Sequence, residues 1–120
     1  MQKFPKDLNF QIKHIGINCV SNSEAMKTAL LFQKIFDFPV TNGKDSVFVC
    51  DNVEMMKGSG KGTHGHIAVG TNNIGGALEY LQTQGHEFDM ESLKYNDDGK
   101  LIVVYFKDEF SGFAVHLLQV

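Results

Sequence analysis

Along this chain, alternation of apolar and polar positions gives way to helical spacing, returns to alternation, and then the whole cycle runs a second time. Residues 11–20 alternate, with His14, Gly16 and Asn18 on one side and Ile15, Ile17 and Cys19 on the other, the period-two pattern of a strand. Ser21-x-x-Glu24 follows as a capping box, and Ala25, Ala29, Phe32 and Phe36 recur at helical spacing until Pro39 ends the run. Asn42-Gly43 marks a turn before an apolar strand at 46–50, and a short strand at 52–57 follows a tight reversal. The first half therefore reads βαβββ.

The second half repeats the order. A strand at 65–70 precedes Asn72 or Asn73 as a cap, then Ile74, Ala77, Leu78 and Leu81 form one apolar helical face that stops at Gly85. A short strand at 87–90 leads into polar residues expected to form a loop, and Asp97-Asp98-Gly99 turns the chain into strands at 101–107 and 113–119. Between the halves, Lys57-Gly58-Ser59-Gly60-Lys61-Gly62 is too small and polar to pack and reads as a flexible connection. It lacks the spacing and the strand-to-helix setting of a phosphate-binding loop.

The repeat matters because it carries histidines. Lys13-His14-Ile15-Gly16-Ile17 and Gly65-His66-Ile67-Ala68-Val69 occupy matching places, so two first strands can present imidazoles across a pseudo-twofold axis. The last strand of each half adds one polar group among apolar neighbours, Glu54 in Val53-Glu54-Met55-Met56 and His116 in Val115-His116-Leu117-Leu118. Taken singly, a strand histidine is most often half-buried and satisfied, and Glu54 reads equally well as a solvated strand residue. Their joint placement points instead to convergence of His14, Glu54, His66 and His116 in a curved sheet, a donor set suited to one divalent ion, Zn, Ni, Co, Mn or Fe, with positions left for substrate oxygens. His64 shares the face of His66 and is an alternative ligand, whereas His86 follows the helix-ending Gly85 and reads as a surface residue.

Composition narrows the setting. The 120 residues, 42% hydrophobic, suffice for one domain over 1–120, with modules at about 11–57 and 64–120. A net charge of −3 with scattered lysines offers no stripe for nucleic acid, and no apolar run approaches the ~20 residues that span a bilayer. The N-terminus lacks a signal-peptide core, so a cytoplasmic protein is expected, with Cys19 and Cys50 as reduced thiols.

These motifs, together with Val103-Val104-Tyr105-Phe106-Lys107-Asp108 running on to Gly112-Phe113-Ala114-Val115-His116-Leu117, resemble the vicinal oxygen chelate superfamily, the group of glyoxalase I, bleomycin resistance proteins and extradiol dioxygenases, over about residues 11–120. The resemblance implies an α+β fold in which two paired βαβββ modules form an open eight-stranded barrel-like sheet, and a divalent metal that chelates two adjacent substrate oxygens. It implies His14, Glu54, His66 and His116 as metal ligands, His116 replacing the usual glutamate. It implies Glu54 or His116 as the catalytic base and Tyr105 as a substrate contact, although Tyr105 reads equally as a half-buried strand residue. The turn at 108–112 is one residue longer than the superfamily pattern. The implied activity is a metal-dependent isomerase or lyase for a small α-keto or α-hydroxy acid or thioester, commonly as a homodimer. The rival reading is a non-catalytic small-molecule binding or regulatory domain. The Thr71-Asn72-Asn73 run and the Gly112–Leu117 ending are also similar to small domains associated with KDPG/KHG aldolases.

Overall fold

The computed structural model describes residues 5–58 and 60–120. After a 3-10 turn at Pro5–Leu8, β1 (Gln11–Asn18) leads into α1 (Asn22–Phe36), and β2 (Val40–Asn42), β3 (Ser46–Val49) and β4 (Val53–Met56) complete the first half. The second half is β5 (Gly65–Thr71), α2 (Ile74–Thr83), β6 (Phe88–Tyr95), β7 (Leu101–Phe106) and β8 (Phe113–Gln119).

Local chemistry sets the ends of these elements. The Ser21 side chain accepts from the Glu24 amide at 3.1 Å, while Glu24 accepts from the Val20 amide at 2.9 Å, so β1 stops earlier than alternation alone suggests. Helix α1 ends at Asp37, which takes a left-handed conformation with φ 58° two residues before Pro39. Asn73 caps α2 by accepting from Gly76 at 3.0 Å.

β6 departs from expectation: residues 91–95, read as loop, continue the strand to Tyr95. The reason is its place at the sheet edge, where much of its surface meets water and register shifts break the alternation.

All eight strands form one open sheet in the order β2-β3-β4-β1-β5-β8-β7-β6. At its centre β1 and β5 run antiparallel with Ile15 opposite Ile67, the same position of the two repeats, so the pseudo-twofold axis passes through that pair. Each last strand lies parallel to its own first strand: β4 places Glu54 beside Gly16, and β8 places His116 beside Ala68. Gly16 and Ala68 are equivalent, and therefore so are Glu54 and His116. The four polar groups converge without closing the sheet, because β4, β1, β5 and β8 are already its central neighbours.

Both helices cover the other face. Helix α1 packs Ala25 and Ala29 against Cys19, Val47, Val49 and Met55, and α2 packs Ile74 and Ala77 against Leu8, Phe88, Val104 and Leu117. Between them the back of β1 is left bare at Ile12, Ile15 and Ile17. Cys19 and Cys50 are free thiols. No helix among the described residues is long and apolar enough to cross a membrane.

Candidate metal centre

Register puts the polar groups into two rows across the face away from the helices. In the first row Glu54, Gly16 and His66 lie side by side on β4, β1 and β5. In the second His14, Ala68 and His116 lie side by side on β1, β5 and β8. Each row has a small residue between its two functional ones, but only the first has glycine. A Cβ at Gly16 would stand 2.0 Å from His66 Cε1, so the His66 ring occupies space that any larger residue would fill. Glycine here lets His66 lean across β1 toward Glu54.

The result is a triangle of donors. His66 Nε2 stands 3.1 Å and His14 Nε2 3.5 Å from Glu54 Oε1, and the two nitrogens are 3.2 Å apart. Donors bonded to one ion at about 2.1 Å stand roughly 3.0–3.4 Å from each other in octahedral or tetrahedral arrangements. Protons serve this triangle poorly. With both nitrogens protonated they face each other as donors; with one or none, a lone pair faces the carboxylate. A cation among the three satisfies all of them at once, so the residues present fit a divalent ion. Among the described residues, ligand atoms of His14, His66 and His116 also lie within 4.8 Å of one another.

Surroundings fix the donors' states. Burial alone would raise the Glu54 carboxyl, but hydrogen bonds from His66 and Ser46 and the neighbouring imidazoles outweigh it and bring its pKa below the usual value. The Ser46 hydroxyl, itself buried, donates to Oε2 at 2.6 Å and leaves Oε1 facing the histidines. Burial lowers His14, against the pull of Glu54. Burial also takes His116 down to about 4, against a 3.0 Å bond between its Nδ1 and the Leu117 carbonyl. That carbonyl only accepts, so Nδ1 carries the proton and the Nε2 lone pair remains free, the usual device for fixing a ligand imidazole.

The fold has solved counterparts. A methylmalonyl-CoA epimerase from Mycobacterium tuberculosis superposes with a TM-score of 0.66 at 9% identity, over 98% of this chain and 92% of that one. A hypothetical protein from Bacillus halodurans gives 0.64 at 16%, over 92% and 94%. A Streptomyces coelicolor methylmalonyl-CoA epimerase variant in complex with 2-nitronate-propionyl-CoA gives 0.61 at 14%, over 91% and 96%. The chain has the vicinal oxygen chelate fold. No family model matches the sequence, and no curated protein does. These comparisons lend no support to the similarity with aldolase-associated domains.

Within the vicinal oxygen chelate fold, Tyr105 pairs with His116 across β7 and β8, its ring 4.8 Å from the imidazole, with burial and then the Glu54 charge raising its pKa. His64 is exposed and lies against Gly112, outside the histidine group, and His86 is exposed near Phe106. The connection after β4 is not free: Asn18 holds Gly60 and Gly62, and Glu109 holds Thr63. Sequence reasoning left Gly16, Ser46 and Asn18 without roles. Gly16 and Asn18 did share the His14 face, which was the available signal; Ser46 needed the β3–β4 register.

Proposed function

We propose that the chain is a cytoplasmic, metal-dependent isomerase or lyase for a small metabolite with vicinal oxygens, an α-keto or α-hydroxy acid or a thioester, with residues 1–120 working as one domain. The donor triangle of His14, Glu54 and His66 carries this reading, because two imidazoles and one carboxylate on adjacent strands leave open positions facing the sheet's free face. Bound there, a divalent ion supplies Lewis-acid polarisation of a carbonyl. The solved neighbours named as epimerases of a CoA thioester support isomerisation.

The chain's own groups divide the remaining work. Ser46 holds the Oε2 of Glu54, which suits a ligand and disfavours it as a mobile base. His116 takes the proton from substrate: it keeps Nε2 free and is 5% exposed, so bulk water does not compete for it, and acidification of the substrate by a bound ion would offset the weak basicity that burial gives the imidazole. Tyr105 donates its hydroxyl to a substrate oxygen. The protein acts as a homodimer, with the bare Ile12, Ile15 and Ile17 strip on the back of β1 covered by a second copy.

Elemental mass spectrometry on untagged protein tests the centre, and solvent deuterium exchange into keto acids and thioesters tests the reaction. The expected result is near one divalent ion per chain, lost in His14→Ala and His66→Ala, with His116→Ala retaining metal but losing exchange. No metal after reconstitution would sink the enzyme reading in favour of a binding domain. Light scattering checks the dimer, which Ile15→Lys should dissociate; a monomer in the parent protein would contradict it.

A further inference from the structure

The segment between β4 and β5 sets a lysine above the same face as the donors. Asn18, on the His14 side of β1, grips it twice: its Oδ1 accepts from the Gly60 amide at 3.1 Å, and its Nδ2 donates to the Gly62 carbonyl at 3.0 Å. Thr63 then donates its amide and its hydroxyl to the two Glu109 oxygens at 2.9 and 2.7 Å. Between these clamps the Lys61 ammonium stands 4.9 Å from the centroid of the Tyr105 ring, which in turn lies 4.8 Å from that of His116. Most exposed lysines sweep a wide volume, but this one starts from a fixed backbone and rests on an aromatic face.

Among the described residues Lys61 forms no ion pair: Glu109 accepts from Thr63, and Glu54 faces Ser46, His14 and His66. A second lysine adds its charge: Lys94 on β6 pairs with Val103, on the Tyr105 side of β7, close enough for its charge to be felt at His116. The rim beside His116 therefore carries two lysines and a phenol donor. A divalent ion held by two imidazoles and one carboxylate would keep a net charge of about +1, which further favours an anion in this space.

We propose that Lys61 binds a second carboxylate of the substrate, beyond its chelating oxygens, and that the substrate is a small 2-oxo or 2-hydroxy dicarboxylic acid. This rests on the metal-centred reading above and narrows its substrate. The alternative role for Lys61 is packing on Tyr105 alone, which would make no distinction between anions.

A matched pair of probes separates these roles. 2-Oxoglutarate and 2-oxopentanoate share a chelating 2-oxo acid and a chain length, and differ by a carboxylate in place of a methyl group. Titration calorimetry on metal-loaded parent protein should show 2-oxoglutarate binding about fivefold or more tightly than 2-oxopentanoate. Lys61→Met should erase that ratio and Lys61→Arg keep it, with metal content and 2-oxopentanoate affinity unchanged in both. A parent protein without the preference, or a Lys61→Met variant that retains it, overturns the assignment. If the parent protein takes up no metal or fails to bind 2-oxopentanoate, the chelation reading fails on its own. The lysine is then decided by 2-oxoglutarate binding to metal-free parent and Lys61→Met proteins, where equal affinities would overturn it.

Discussion

The two rows of the site are related by the pseudo-twofold axis at Ile15 and Ile67, yet they do opposite things with the same backbone. The row through Gly16 is crowded and charged: without a Cβ in the way, His66 reaches 3.1 Å from Glu54 and draws His14 into the triangle. The row through Ala68 keeps its side chains apart, the His14 and His116 rings 6.1 Å between centroids, and His116 remains a neutral, buried imidazole. The duplicated backbone thus carries one row whose side chains close on each other and one whose side chains stand apart. One methyl group and one carboxylate mark the difference.

Gly16→Ala should break the comparison most severely. The new methyl falls inside the His66 ring, so His66 must turn away from Glu54, with metal affinity falling on the order of 100-fold and the fold weakened by about 1–3 kcal/mol. Calorimetric metal titration and thermal melting read the two effects separately; an unchanged affinity would mean the ring has another seat. Glu54→Gln removes charge while keeping shape, and should cost about 10–100-fold in metal affinity with little change in the metal-free melting temperature.

His116→Glu makes the rows chemically alike. It should move metal preference toward harder ions, raising the affinity for Mn relative to Zn or Ni about tenfold, as competition dialysis would show. If the relative affinities stay fixed, His116 does not belong to the ion's surroundings.

The mildest test is acid on the metal-free protein. His116 titrates at about 4 when folded but near 6.5 when unfolded, so between these values the unfolded chain binds a proton that the folded chain refuses. Stability attributable to His116 is therefore complete above pH 6.5 and drains away toward pH 4, and the lowered His14 adds the same sign. Glu54, lowered from an ordinary value near 4.5, loses its contribution only below that. His116→Gln should flatten the dependence of chemical denaturation between pH 6.5 and 4; an equal slope in both proteins would place the titrating group elsewhere.

Much of this was readable before any coordinates. Alternation set His14 apart from Ile15, the capping box located α1, and the repeated histidine motif implied two first strands related by a pseudo-twofold axis; their direct antiparallel pairing did not follow from it. The equivalence of Glu54 and His116 was readable too, since each stands alone among apolar residues near the end of its half. What stayed hidden depended on register and chain path. Gly16 matters only because β1 lies between β4 and β5, and Lys61 only because Asn18 and Glu109 fold its segment back over the sheet. The tail of β6 was missed because an edge strand with shifted pairing has no apolar rhythm to read.

The ladder between β1 and β5 is the seam along which the two halves join, and the donors straddle it, His14 and Glu54 on one side, His66 and His116 on the other. An ion gripped across that seam would work as a rivet. Halves produced separately would each carry only part of the grip, so firm capture would wait for β5 to reach its place beside β1, bringing His66 to His14 from 52 residues away. Since an unfolded chain offers no such cluster, free metal at 100 times its dissociation constant would add about 2.7 kcal/mol to the folded state. In a cell, metal supply would then govern not only turnover but how long each copy survives proteolysis.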